Sequence, residues 1–474
     1  MTQIKFGTDG WRAEIAKEFT FENLGRVAMG VANQLKQEKP ELDRIIVGYD
    51  KRFLSEQFAQ WTAACFAHRG YTVLMTQEAM PTPLLSWCAK YEKGVAGSIV
   101  ITASHNPPTW NGFKFKETFG GSASVETTEK FEQEIAKVDA QPFEAGMFSQ
   151  YEQQGKIQHY DPLAQYTEKL LSLVDVEAIK KAKFKVAIDT MYGSASKHFA
   201  PLLERLGIAT HSLHTEDNPG FGGIAPEPTE KNLLELRQLI AKGDFNCGFA
   251  NDGDADRLGA VDEKGEYFST QKILSTVYWH MIYNRKKQWN VSRSVSTTRM
   301  VDVIAEANGL KCIETKVGFK YIAEQMVEGH AQIGGEESGG IGTDDHLPER
   351  DGFMTALLLL EAMAVTGKSL SQIYRHICQS FRPYEFIRKD LKVPQALMQK
   401  VMQKLKETDV KQWGDKMVAS TQTVDGFKYY TQDGAWLLIR PSGTEPLFRI
   451  YAEAETIEAS EALINAAMEF VETC

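Results

Sequence analysis

The sequence predicts a multidomain α/β protein that ends in a smaller α+β unit. Three observations lead there. Short apolar runs alternate with longer helical patterns, which is how layered α/β units read. Several of those runs stop abruptly in loops of small or charged residues. From about residue 385 the pattern changes to a helix, strands and a terminal amphipathic helix, TIEASEALINAAMEFVE, over 456–472. With 474 residues, the chain has room for three or four domains of roughly 100–150 residues each. A composition of 43% hydrophobic, 24% charged and 10% aromatic residues supports buried cores and argues against wholesale disorder.

In chain order, RIIVGYD (44–50) is a candidate strand and SEQFAQWTAACFAHRG (55–70) a helix. GSIVITA (97–103) and FKVAIDT (184–190) read as strands. NLLELRQLIAKG (232–243) is helical and closes on Gly243, a C-cap candidate. FNCGFAN (245–251) and AQIGGE (331–336) return to strand. ALLLLEAMAV (356–365) is too short for a membrane span and carries Glu361, so it reads as a buried helix. Polar stretches at 140–160, after 261–266 and at 381–392 mark junctions, giving domains at 1–158, 159–265, 266–380 and 381–474. Ligands in α/β proteins gather beyond the carboxyl ends of strands, so the loops after GSIVI, NCGFA and AQIG should carry function.

The net charge of −10 gives no general field for nucleic acid or an acidic membrane. A small anion needs local basic loops. Six cysteines, at 65, 88, 247, 312, 378 and 474, are widely spaced with no C-x-x-C. They indicate neither a zinc module nor a disulfide framework, and a reducing compartment fits them. The beginning MTQIKFGTDGWRAEI lacks a signal-peptide core, and a cytoplasmic location is expected. TGKSL (366–370) resembles the end of a Walker A loop but lacks its leading glycine, and Asn290-Val291-Ser292 means little as a glycosylation acceptor without a signal peptide.

Four loops carry the chemistry. TASHNPP (102–108) sets Ser104 beside His105, but adjacent residues rarely give triad geometry and the G-x-S-x-G elbow is absent. Taken alone, that loop is better explained by a helix cap and a rigid proline turn. NDGDADR (251–257) alternates Asp252, Asp254 and Asp256 with small residues. Alternate side chains of an extended loop point the same way, so three carboxylates can converge on one hard cation. An EF-hand is disfavoured, because Arg257 stands where its turn needs glycine. Mg²⁺ usually completes its shell with water or a phosphate oxygen, the first hint of phosphate chemistry. RPSGTEP (440–446) offers Arg440 as a fork, hydroxyls at Ser442 and Thr444, and a backbone opened by Gly443, with Arg449 a few residues on. GGEESGGIGTDDHLPERDG (334–352) surrounds Glu336 and Ser338 with glycines, a combination suited to sugar hydroxyls. Hydroxyl nucleophile, hard cation, sugar clamp and phosphate clamp together suggest phosphoryl transfer on a sugar phosphate.

At this point the sequence resembles the α-D-phosphohexomutases. FGTDGWR (6–12), TASHNP, DGDADR, GEESGG and RPSGTEP occur in that family's order and spacing over essentially the whole chain. The resemblance implies three similar α/β domains with mixed sheets and a smaller C-terminal α+β domain around a central cleft. It implies that Ser104 carries a phosphoryl group, and that Asp252, Asp254 and Asp256 bind Mg²⁺ together with that serine. Lys114, in NGFK, would move the proton with support from Arg12, while His105 joins this catalytic group as a brace for the loop. Arg257, Lys316 (in TKVG), Glu336 and Ser338 would contact the substrate, and Arg440, Ser442, Gly443, Thr444 and Arg449 would grip the phosphate that does not react.

The implied reaction interconverts hexose 1-phosphate and hexose 6-phosphate, with hexose 1,6-bisphosphate as intermediate and activator. The partner is then a small phosphosugar, with neither nucleic acid nor membrane involved. Gly340 departs from the G-E-x-S-G-H form of many bacterial mannose/glucose and glucosamine enzymes. The continuation to Gly352 looks more like the glucose-specific branch, which puts glucose first and mannose close behind. His346 is the candidate to replace the absent histidine's contact. A Ser104-dependent phosphatase and a non-catalytic phosphosugar sensor are the competing readings. A phosphatase would release phosphate, and a sensor would be expected to have lost Ser104 or an aspartate.

Overall fold

The computed structural model describes residues 3–139, 142–442 and 446–474. Four sheets follow one another along the chain, and three repeat one plan. In the first, strand Arg44–Tyr49 lies between Thr72–Thr76 and Val95–Ile101, both parallel to it, and Trp110–Lys116 then joins Val95–Ile101 antiparallel. In the second, Lys185–Asp189 lies between Ala209–Leu213 and Cys247–Asn251, and Leu258–Val261 closes antiparallel. In the third, Val291–Ser294 lies between Cys312–Thr315 and Ile333–Gly335, and Ile341–Thr343 closes antiparallel. The order is second, first, third, fourth each time, with the same parallel and antiparallel senses. The repeat that residue identities hide is therefore plain in the topology.

This plan positions the chemistry. The connection from third to fourth strand is the serine loop in the first sheet, the aspartate loop in the second and the Glu336 loop in the third. Three loops of unrelated sequence occupy one structural position, at the carboxyl end of a parallel strand. Strand Val95–Ile101 is buried at every position, as expected of a strand covered on both faces. It ends at Ile101, so Thr102 already belongs to the loop.

The fourth sheet is antiparallel throughout, in the order Glu385–Lys392, Leu447–Ala454, Trp436–Pro441, Phe427–Thr431, Lys416–Gln422, Gln412–Trp413. Helix Ile457–Glu472 packs on it, with the Thr456 side chain accepting from Ala459 N as N-cap. This unit has its own core around Leu437, Ile439, Phe448 and Ile450.

The first sheet continues past Thr72–Thr76 to Ile157–Tyr160. The first sheet thus extends to Tyr160. Helix Leu234–Lys242 ends at Gly243, whose N–H donates to Ile240 O. Gly243 is extended there, with φ −107°, so this cap does not draw on glycine's left-handed freedom. The apolar run 356–365 lies in helix Gly352–Thr366, buried from Gly352 through Met363. Its Glu361 accepts from Asp175 N at 2.9 Å and pairs with His280 Nε2 at 2.9 Å and Arg285 Nε at 3.2 Å. Those partners offset the cost of burying the charge. Among the described residues no single helix is long and apolar enough to cross a membrane. None of the six cysteines is paired.

Candidate active site

Ser104 is fully buried and sits in left-handed backbone, φ +53°. Non-glycine residues take that conformation only where the surroundings impose it. Here the imposing groups are Asp50 and Arg52, at the end of the neighbouring parallel strand. Thr102 Oγ1 donates to Asp50 Oδ2 at 2.6 Å and accepts from Ser104 N at 2.9 Å. The Arg52 guanidinium donates to the carbonyls of Ser104, Asn106, Pro107 and Trp110 at 2.6 to 3.0 Å. One arginine thus staples the entire serine loop, and Arg12 Nη1 adds a bond to Asn106 Oδ1 at 2.8 Å.

The aspartate loop meets the serine loop directly. Ser104 Oγ donates to Asp252 Oδ2 at 2.9 Å and lies 3.3 Å from His105 Nδ1. A Cβ on Gly253 would stand 2.5 Å from Ser104 O, so only glycine permits this approach. Ala255 takes left-handed backbone, φ +62°, and the turn brings one ligand oxygen from each of Asp252, Asp254 and Asp256 within 4.8 Å of the others. All three aspartates are fully buried. Asp254 Oδ1 and Asp256 Oδ1 have no hydrogen-bond partner. Buried carboxylate oxygens left open are costly unless a cation takes them, so the donor set fits a hard metal ion.

Charge is dense around these carboxylates. Lys114 Nζ is fully buried, 2.8 Å from Asp254 Oδ2, 2.8 Å from Asp9 Oδ2 and 3.4 Å from Asp256 Oδ2. Burial works against its charge, but Asp254, Asp9 and Asp256 outweigh burial and hold the ammonium above the usual lysine range. Burial raises the Asp252 carboxyl well above its ordinary value, and Asp256 and Asp254 push the same way. Asp254 goes down despite burial, because Lys114 and the Thr82 hydroxyl, 2.6 Å from it, favour its charge. His105 is pushed well below its ordinary value, first by burial and then by Arg257, Arg12, Lys114 and Arg52.

Arg257 donates its backbone N–H to Asp252 Oδ1 at 3.1 Å, and its Nη1 lies 3.4 Å from Glu227 Oε1. Glu336 is buried, and burial lifts its carboxyl to about 7. Ser338 Oγ reaches Glu336 Oε2 at 3.5 Å. The structure thus gathers Ser104, His105, Arg12, Lys114, the three aspartates, Arg257, Glu336 and Ser338 into one region.

His346 lies elsewhere. It is fully buried, its Nε2 bonds Asp351 Oδ2 at 2.8 Å, and Tyr166 OH shares that carboxylate at 2.6 Å. It therefore supports the N-terminus of helix Gly352–Thr366, whose N-cap is Asp351, and exposes no surface of its own.

Lys316 is exposed in the connection before helix Phe319–Val327. Arg440 and Arg449 pair directly across the hairpin of the fourth sheet and so share one face. Asp425 Oδ2 accepts from Val317 N at 3.0 Å and lies 2.9 Å from Arg440 Nε, tying Arg440 to the Lys316 loop. Ser442 is buried, and its N–H bonds Leu447 O at 2.9 Å. Gly443 and Thr444 lie outside the described residues.

Sequence reasoning missed Asp9, Arg52, Lys116, Glu349 and Arg350. Lys116 Nζ contacts Asp9 Oδ1 at 3.0 Å, Ser122 Oγ at 2.8 Å and Glu349 Oε2 at 2.7 Å. A signal was present. Lys114 and Lys116 alternate on one apolar strand, hence on one buried face, and two buried lysines require carboxylates. Asp9 in FGTDGWR and Glu349 in LPERDG supply them.

Comparisons with known proteins bear on the family and the fold. Four phosphoglucomutase/phosphomannomutase family models match in order: α/β/α domain I over 3–142, domain II over 164–265, domain III over 270–381 and the C-terminal domain over 391–469. A phosphoglucomutase/phosphomannomutase of Thermococcus kodakarensis is 31% identical, covering 98% of each chain. A phosphoglucosamine mutase of Caldanaerobacter subterraneus subsp. tengcongensis is 32% identical over 95% of this chain and 94% of its own. The crystal structure of a Thermus thermophilus protein, provisionally named a phosphomannomutase, superposes with a TM-score of 0.86 at 32% identity, covering 99% of each chain.

Proposed function

The chain belongs to the phosphoglucomutase/phosphomannomutase family of phosphate-transferring enzymes, and from that premise we propose that it interconverts hexose 1-phosphate and hexose 6-phosphate through a phosphorylated Ser104. The observation that carries this reading is Ser104 Oγ, 2.9 Å from Asp252 and backed by aspartates with open oxygens. The metal we assign to them is Mg²⁺, with Asp252, Asp254, Asp256 and the serine phosphate as its ligands. When bound, it offsets the charge of the phosphoryl group in transfer.

In the first half-reaction the bond from Ser104 Oγ to phosphorus breaks and a bond from the sugar 6-oxygen forms. One proton is lost by the sugar hydroxyl and one is gained by Ser104 Oγ. The group we assign to this transfer is Lys114, which starts as an ammonium, gives its proton to Ser104 Oγ and takes up the one the sugar loses, with Arg12 near it. In the second half-reaction the 1-oxygen loses its phosphoryl group to Ser104 and the proton travels back. The hexose 1,6-bisphosphate between these steps turns over without being lost. Arg440, Arg449 and Ser442, with Gly443 and Thr444, hold whichever phosphate is not reacting, so the clamp must accept both ends of the sugar. Glu336, Ser338 and Lys316 hold the sugar and its approach. Retention of Ser104 together with all three aspartates argues against a non-catalytic sensor.

Glucose is the hexose we place first, because the stretch from Gly340 to Gly352 resembles the glucose-specific branch. Mannose follows, and the Caldanaerobacter relative brings in glucosamine. The deciding experiment compares kcat/KM for glucose, mannose, glucosamine and N-acetylglucosamine 1-phosphates on purified protein. Treatment with the hexose 1,6-bisphosphate should leave phosphate on the peptide bearing Ser104. Release of inorganic phosphate in place of hexose 6-phosphate would identify a phosphatase instead. Six unpaired cysteines suit a cytoplasmic setting.

A further inference from the structure

Gly340 needs no glycine for its own backbone, whose φ lies outside the left-handed range. Its neighbour requires it: a Cβ there would stand 2.2 Å from Arg350 Cδ and 2.5 Å from Arg350 Cγ. The arm of Arg350 runs through the space that any side chain at 340 would enter. Its guanidinium is almost wholly buried and spans three units of the fold. Nη2 lies 2.8 Å from Asp256 Oδ2 in the aspartate loop and 2.7 Å from Asp9 Oδ2 in the first domain. Nη1 lies 3.6 Å from Glu336 Oε2 in the sugar loop, and Nε lies 3.2 Å from Glu349 Oε1. Arg350 takes the Oδ2 atom of Asp256 and leaves Oδ1 open.

We propose that Gly340 and Arg350 act as one unit, in which the glycine vacates the space that the histidine of the G-E-x-S-G-H form would fill and Arg350 occupies it, fixing Asp256 and Glu336 relative to each other. Arg350 is thus a positioning residue that couples the aspartate loop to the sugar loop. A planar fork with several fixed donors can span carboxylates from separate loops, whereas an ammonium is a single point charge. This unit replaces the role given to His346, which is buried on Asp351. The functional half of the proposal rests on the mutase reading; the packing half does not.

The test is a mutant cycle with two readouts, thermal midpoint and steady-state kinetics with hexose 1-phosphate, on the parent, Gly340→Ala, Arg350→Ala, Gly340→Ala/Arg350→Ala and Arg350→Lys. Gly340→Ala should lower the thermal midpoint in the parent and have little effect once Arg350 is alanine, because coupled neighbours are non-additive. Arg350→Lys should keep a thermal midpoint near the parent's yet lose about tenfold or more in kcat, since a small misplacement of reacting groups is costly. The same Gly340→Ala penalty in both backgrounds, or parental kcat and KM in Arg350→Lys, would overturn the proposal. A parent that turns over no hexose phosphate sinks the mutase reading, and the thermal cycle then still decides for or against the Gly340–Arg350 packing.

Discussion

The serine–aspartate cleft and the arginine face of the fourth sheet, which the proposed reaction assigns to two ends of one substrate, are built differently. In the cleft Ser104, Lys114, Asp252, Asp254 and Asp256 are all fully buried, and bonds from the first domain reach into the second at Ser104, Thr82 and Lys114. On the fourth sheet Arg440 and Arg449 are half-buried, and Lys316 across the seam is exposed. That sheet meets the third domain along a seam that is both apolar and polar: Val295 and Val317 pack with Trp436, Leu438 and Tyr451. Lys428 Nζ bonds Val295 O at 2.7 Å and Glu314 Oε2 at 2.6 Å, while Glu453 Oε2 accepts from Trp436 Nε1 and Arg299 N, both at 2.8 Å. The contrast teaches where geometric precision is spent. Preorganised charge matters most where a transition state forms, while under the proposed reaction a clamp that accepts either end of a sugar gains from latitude.

The largest effect should come from the cleft. Ser104→Ala should abolish conversion of glucose 1-phosphate to glucose 6-phosphate, a loss of about four orders of magnitude or more by analogy with other nucleophile deletions. Circular dichroism should still report a folded protein. Near-parental turnover in this variant would end the covalent reading and with it the contrast between the two regions.

Next comes the metal. Exhaustive chelation should cost about a hundredfold or more in rate, regained on adding Mg²⁺, because the offset of transition-state charge is lost. Full activity in the chelated protein would leave the open oxygens of Asp254 and Asp256 without a purpose. Arg440→Ala tests the other region. It should raise KM about tenfold to a hundredfold, the loss of one charged hydrogen-bonding group, while kcat moves less. A fall in kcat with KM unchanged would show the clamp to be as exacting as the cleft.

The smallest effect concerns the seam. Burial, and then Arg293, lower the Lys428 ammonium to about 8, against the pull of Glu314. Between about pH 8 and the ordinary lysine value near 10, the unfolded chain then binds more protons than the folded one. The contribution of this group to stability therefore rises with pH in that window and is least favourable below it. Thermal midpoints of parent and Lys428→Met measured across the window should show the parent gaining on the variant as pH increases. A constant difference would mean that Lys428 does not titrate there.

How much of this was legible in the sequence differs between the same two regions. The alternating aspartates stand out in their own short loop, whereas Ser104 and Arg440 acquire a role only when the four loops are read together and against the family's motifs. The apolar runs marked the strands that precede the serine, aspartate and Glu336 loops, but not their partners Thr72–Thr76, Ala209–Leu213 and Cys312–Thr315 nor the shared order, since topology depends on pairings far apart in the chain. The supports were hidden for the same reason. Asp9 and Arg350 are separated by 341 residues yet lie 2.7 Å apart, and nothing in either neighbourhood announces the other. His346 misled because a histidine near a sugar loop invites a ligand role, whereas Asp351 had already claimed it as a buried brace.

The left-handed backbone at Ser104 also has a bearing on descent. Glycine is the residue that such a conformation accepts with least harm to the fold. In a lineage relieved of the need for catalysis, serine at 104 should give way to glycine sooner than its neighbours change. A gene copy with glycine at 104 beside unaltered aspartates would therefore mark a recent release from selection on turnover.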